Sequence, residues 1–219
     1  MTELSINAIT NGVKFFIFSA GSCFCIATGF AQDANDNNDM NKSSNVVCER
    51  IIDHTSVTND ASNNVNRWYS LNDNVMGGKS VGIFSQKNDH LHFHVSINTN
   101  GGGFASIRRK ISAEPFSNVD RIRLAVQSDK RAYSVQLQDE NGTQQSISHR
   151  APIAVKATDD YEVIEIQLKD LVPMFRGRNI QAAKFNTATA RTIGIMLSDS
   201  IDGPFNLKLA WIDVCRVIQ

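Results

Sequence analysis

The sequence predicts an all-β domain, either a two-sheet sandwich or a closed antiparallel barrel. Three observations carry this reading. Apolar and polar residues alternate in several short runs, the period-two signature of a strand with one buried face. Clusters of Gly, Asn, Asp and Ser separate these runs. No long segment shows the 3.6-residue repeat of an amphipathic helix. At 219 residues and 42% hydrophobic, the chain can bury a core of its own.

The N-terminus differs from the rest. Lys14 precedes "FFIFSAGSCFCIATGFA", which ends in Gly29-x-Ala31. A positive residue, an apolar run and a small-residue ending predict a signal peptide over residues 1–31, cleaved near Ala31. An uncleaved membrane anchor is the alternative. Residues 32–46 are polar and read as a flexible segment. A single domain is expected over 47–219, secreted or periplasmic, with no membrane span in the mature form. Cys48 and Cys215 lie near its two ends. An oxidising compartment lets them pair, closing a loop worth roughly 4–5 kcal/mol; two buried thiols are the alternative.

The strands follow in order. "VVCERIID" reads as a short edge strand and "VGIF" (81–84) as the next. In "LHFHVSI", Leu91, Phe93, Val95 and Ile97 face inward, and His92, His94 and Ser96 outward. "NTNGGG" (98–103) is a turn, with "FASIRRKI" returning as a strand. There Phe104, Ser106 and Arg108 share one face, and Ala105, Ile107 and Arg109 the other. "RIRLAVQ" buries Ile122, Leu124 and Val126; "AYSVQLQ" buries Tyr133, Val135 and Leu137; "DENG" turns the chain between strands. "YEVIEIQL" is a further strand, and "RTIGIML" and "FNLKLAWIDVCRVI" together supply the last two or three. "NIQAAKF" (179–185) has at most a turn or two of helix. Trp211 shares a face with Leu207 and Leu209 and is assigned to the core.

Chemistry-bearing patterns are sparse. The net charge is zero, against a nucleic-acid partner, whose phosphates demand excess Lys and Arg. No G-x-S-x-G elbow occurs. The adjacent acids Asp139–Glu140 and Asp159–Asp160 lie in turns, unlike the opposed pair of a glycosidase. The "GGGF" glycines join two strands, whereas a phosphate cradle needs a helix start. His90, His92 and His94 share one strand face; a metal-dependent enzyme using them is the lowest-ranked reading, and solvated surface histidines the default. Neither metal nor cofactor is assigned.

One stretch stands apart: Trp68 and Tyr69, then "NDNVMGG" (72–78). Asn72, Asp73 and Asn74 cap turn amides well, and Gly77 and Gly78 permit a sharp bend. The structural expectation is a self-bonded corner, with Met76 plugging the sandwich. The functional expectation is a binding patch of Trp68, Tyr69, Asn72, Asp73, Asn74 and Arg108, with Arg108 ion-pairing Asp73 or forking onto a ligand.

"WYSLNDNVMGGKS" followed by "GGGFASIR" closely resembles the family of complex I intermediate-associated protein 30, the CIA30 domain. "YSVQLQ", "LKDLVPMFRGR" and "IGIMLSDSIDGPFNLKLAWIDV" extend the likeness over residues 67–214. The resemblance implies a galactose-binding-like jelly-roll β-sandwich and a non-enzymatic role; in mitochondria the family assists complex I assembly through protein contacts. It marks Trp68, Asp73, Asn74, Val75, Met76, Gly77, Gly78, Gly102, Gly103, Phe104, Ser106 and Arg108 as signature positions. The main functional expectation is therefore a binding or assembly module with a protein or glycan partner. An extracytoplasmic carbohydrate-binding module is the alternative, with an aromatic platform beside Asn, Asp and Arg.

Overall fold

The computed structural model describes residues 45–55, 67–129, 131–156 and 159–218. The expected signal peptide and nearly all of the polar segment lie outside these residues.

Two antiparallel sheets form a sandwich. The first contains β1 (Asn45–Asp53), β3 (Val81–Gln86), β4 (Leu91–Ile97), β6 (Arg121–Ser128), β9 (Glu162–Gln167) and β13 (Gly203–Ile218). Its order is β3-β4-β13-β6-β9, with β1 also on β13. The second contains β2 (Trp68–Ser70), β5 (Ala105–Lys110), β7 (Tyr133–Asp139), β8 (Ile147–Pro152), β10 (Val172–Phe175), β11 (Arg178–Asn179) and β12 (Ala190–Leu197). Its order is β11-β10-β8-β7-β12-β5-β2. The inward faces merge into one core, in which Leu91, Phe93, Ile107, Leu124, Val135, Leu137, Ile195 and Leu207 are fully buried.

Several local expectations are corrected. The glycine turn after β4 does not close a hairpin. It carries the chain across the sandwich, since β4 lies in one sheet and β5 in the other. Sequence alternation identifies strands but says nothing of which sheet receives them. "DENG" opens a short helix, α1 (Glu140–Gln145), because the Asp139 carboxylate accepts from the Gly142 amide at 2.7 Å as its N-cap. Residues 180–186 form no helix. Val95 leaves the core row; it is only half-buried, with φ 125°.

The C-terminal run is one strand of 16 residues. Its first half pairs with β4 and its second half with β1, end to end along the same edge. A register shift between Leu209 and Trp211 flips the alternation. Ala210 and Ile212 are therefore buried, and Trp211 moves out of the expected core to an intermediate position under the Arg50 guanidinium, 4.1 Å from its ring centre. Cys48 and Cys215 are directly opposed on β1 and β13 and form a disulfide.

Candidate functional site

The signature corner is a structural device centred on Asp73, which is fully buried. Its Oδ1 accepts from the Ser80 amide at 2.9 Å. Its Oδ2 accepts from the Ser80 hydroxyl at 2.6 Å and from the Gly103 and Phe104 amides at 2.6 and 3.3 Å. Burial pushes the pKa of this carboxyl up, but the Ser80 hydroxyl and the three amides outweigh it and hold the group below its ordinary value. The glycines follow from the carboxylate. A Cβ on Gly78 would lie 2.3 Å from Asp73 Cγ, and one on Gly102 would lie 2.3 Å from Oδ2. Gly77 turns the chain at φ 88°. Asp73 thus staples the 73–76 turn of 3-10 helix to the glycine crossover 30 residues later.

This arrangement dissolves the expected patch. The Asp73–Arg108 ion pair is absent: four protein donors occupy the carboxylate, and Arg108 points from the outer face of β5. Trp68 faces inward at 4% exposure, its ring 6.1 Å from that of His54, so its indole packs the core and offers no platform. Asn72 donates to the Gly82 carbonyl at 3.0 Å. Ser106 donates to the Leu71 carbonyl at 2.6 Å. Met76 does not plug the sandwich; it and Val75 are each 63% exposed. Asn74 is exposed beside them.

Tyr69 and Arg108 belong to a different constellation, which the sequence did not reveal. Ile107, Ile195, Val135 and Ala151 point into the core, so the residues between them stand on the outer face of the second sheet. The register aligns one row across five adjacent strands. Tyr69 lies opposite Arg108, Arg108 opposite Gly194, Gly194 opposite Gln136, and Gln136 opposite Arg150. Gly194 leaves the middle of the row open: a Cβ there would sit 3.0 Å from Arg108 Cγ and 2.4 Å from the Ile107 carbonyl oxygen.

The floor of this face is buried and polar. Gln136 is 2% exposed, and neither its amide nitrogen nor its amide oxygen has a partner. Arg108 reaches Gln138 Oε1 at 3.3 Å and leaves its Nε without an acceptor. Arg150 Nε donates to the Ser148 hydroxyl at 2.9 Å. Neither guanidinium has a carboxylate partner among the described residues. Burial and the neighbouring Arg108 charge push Arg150 down to about 10, and burial lowers Arg108 as well. At one end Tyr69 is 39% exposed and borders a cleft of about 490 Å³ with Arg67, Lys110 and Ser112. The face therefore carries an exposed aromatic ring and two desolvated cations, with an amide that has no hydrogen-bond partner buried in the row between the cations.

The histidine strand makes no comparable site. His92 Nε2 contacts Asn206 Oδ1 at 2.7 Å, and its ring stacks on His94 with centroids 4.1 Å apart. His90 contacts Asp89 at 2.6 Å. Among the described residues no group of three His, Cys, Asp or Glu side chains could hold a metal ion. No helix among them is long and apolar enough to cross a membrane.

Known proteins resemble this chain mainly in shape. No curated protein matches it. A family 11 carbohydrate-binding module of a cellulosomal cellulase from Clostridium thermocellum superposes with a TM-score of 0.52 at 14% identity, covering 80% of this chain and 97% of the module. The Clostridium thermocellum family 11 module in complex with a β-1,3-1,4-mixed-linked tetrasaccharide gives 0.52 at 14% identity, with 79% and 98% covered. An agarase matches at 0.50 and 10% identity, over 78% of this chain and 25% of the enzyme. At these identities the likeness is one of fold, a jelly-roll-type β-sandwich. The family model for complex I intermediate-associated protein 30 matches residues 57–209, well over half of the 219-residue chain. The chain belongs to the CIA30 family.

Proposed function

We propose that this protein is a non-catalytic, extracytoplasmic carbohydrate-binding module whose ligand lies across the outer face of the second sheet. The observation that carries the reading is the row Tyr69–Arg108–Gln136–Arg150. A sugar ring needs an apolar or aromatic surface for its C–H face and fixed donors and acceptors for its hydroxyls. Tyr69 supplies the first, and the unpartnered Gln136 amide and the two arginines supply the second. The fold shared with carbohydrate-binding modules supports the reading. So does the Cys48–Cys215 disulfide, since such bonds persist in oxidising compartments.

Affinity electrophoresis against a panel of soluble polysaccharides tests this. Retardation by at least one glycan, weakened about tenfold in Tyr69→Ala with unchanged thermal unfolding, is the expected result. A panel without a single retarding glycan contradicts it.

The exposed Val75 and Met76 favour a second reading, contact with a protein partner at the signature loop, in keeping with the association with a complex I intermediate in the family's name. Crosslinking from Val75 or Met76 to one defined envelope or respiratory subunit in native cells supports it; the absence of such a crosslink speaks against it.

A further inference from the structure

We propose that the ligand of the second-sheet face is an anionic saccharide, one carrying a carboxylate or sulfate group that docks between Arg108 and Arg150. This rests on the carbohydrate reading above and names the class of sugar.

Partly buried cations in folded proteins are ordinarily matched by an acid, because an uncompensated charge loses hydration without recovering it. Several other partly buried arginines among the described residues follow the rule. Arg131 pairs with Asp199, Arg123 with Asp213, and Arg121 with Asp120 and Glu165. Arg108 and Arg150 break the rule on one sheet face, three strands apart. Each is lowered by desolvation, and Arg150 is lowered further by Arg108, so the two fields overlap. Their protein partners are neutral: Gln138 for one and Ser148 for the other.

The charge between them is the missing component. Gln136 lies in the row between Arg108 and Arg150, buried, with both amide atoms unused. A guanidinium fork binds carboxylate or sulfate oxygens with two parallel hydrogen bonds, while the amide reads a neighbouring hydroxyl. A neutral glycan would use the donors and leave both positive charges unbalanced. From Tyr69 to Arg150 the row crosses four strand spacings, about 19 Å, enough for a short oligosaccharide stacked at its Tyr69 end. The chain's zero net charge argues against a partner that tracks a nucleic-acid phosphate backbone.

The test titrates the full chain with polygalacturonate and alginate for carboxylate, dextran sulfate and carrageenan for sulfate, and lichenan and agarose as neutral probes. Arg108→Gln, Arg150→Gln and the double variant are run in parallel, each first shown to melt at or above the wild-type temperature. We expect binding to one acidic class and not to the neutral polymers. Each Gln substitution should weaken it about tenfold or more, the loss of a charge-assisted hydrogen bond. Which acidic class binds distinguishes carboxylate from sulfate. Neutral glucan bound as tightly as any acidic polymer, and unaffected by the Gln variants, overturns the anionic assignment while the carbohydrate reading stands. Acidic-polymer binding that persists in the double variant also overturns the assignment. Failure to bind any polymer, neutral or acidic, overturns the carbohydrate reading itself.

Discussion

Asp73→Asn isolates the role of the buried carboxylate, because it keeps the shape and removes the charge. In the native structure Oδ1 accepts one hydrogen bond and Oδ2 three, all from donors held in place by the backbone or by Ser80. An Asn carbonyl at the Oδ2 position can keep its three donors, now as weaker neutral bonds. Its amide nitrogen must then face the Ser80 N–H across the present 2.9 Å, donor against donor. The unmade bond at a buried donor costs about 1–3 kcal/mol, and the weakening of the other three adds about 2 kcal/mol. The whole effect is therefore about 3–5 kcal/mol, a large part of the 5–15 kcal/mol typical of a domain. For a domain of this size that is roughly a 6–20 °C fall in Tm. Urea unfolding under oxidising conditions, monitored by tryptophan fluorescence, measures it. The pH dependence adds a second check. A carboxylate held below its ordinary value contributes stability above the unfolded-state value of 3.8, and loses it as pH falls through the folded value. The wild type should lose this part of its stability only in strong acid, and Asp73→Asn should lack that component. A variant within 1 kcal/mol of wild type would show that the Asp73 carboxylate does not staple the corner.

Four further outcomes follow from the same geometry. Gly102→Ala forces a Cβ against the Asp73 carboxylate and should cost about 1–3 kcal/mol by urea unfolding, even though the residue is on the surface. Cys48→Ser with Cys215→Ser releases β1 from β13 and should cost about 2–5 kcal/mol, a loss reproduced in wild type by reductant. His54 is 1% exposed, and burial, with the nearby Arg109 charge, lowers it to about 4 from 6.5. Its neutral form is favoured on folding, so up to about 3 kcal/mol present above pH 6.5 is lost as pH falls toward 4, and His54→Gln should flatten the Tm profile in that window. Arg150→Gln relieves a desolvated charge and should raise the stability of the free protein by about 1–2 kcal/mol in calorimetry, whereas a structural arginine would lower it.

The fold was largely legible because its cause is local. Leu91, Phe93, Leu124, Val135 and Leu137 alternate in sequence, and all five are buried. The signature corner was legible as a corner for the same reason, since Asx turns and glycine bends are read from neighbours. What joins that corner to the rest was not. Asp73 and Gly103 are 30 residues apart, and their contact depends on the glycine segment crossing between sheets rather than closing a hairpin. The binding row shows the limit more clearly. Alternation left Ser134, Gln136 and Gln138 as a polar face, but their alignment with Arg108 and Arg150 depends on strand order, which periodicity does not encode. Trp211 failed for a related reason: a bulge changes the side of every residue beyond it, and no residue before Trp211 announces one.

The proposed carbohydrate site is the outer face of the second sheet. The most direct test maps a bound oligosaccharide by NMR, following the side-chain amide of Gln136, the guanidinium signals of Arg108 and Arg150, and the ring of Tyr69 during titration. Saturable shifts at all four at one common Kd are expected, with the His92–His94 face and the Asp73 corner unchanged. Binding that leaves these four signals in place and shifts the signature loop or the histidine strand instead would contradict this site.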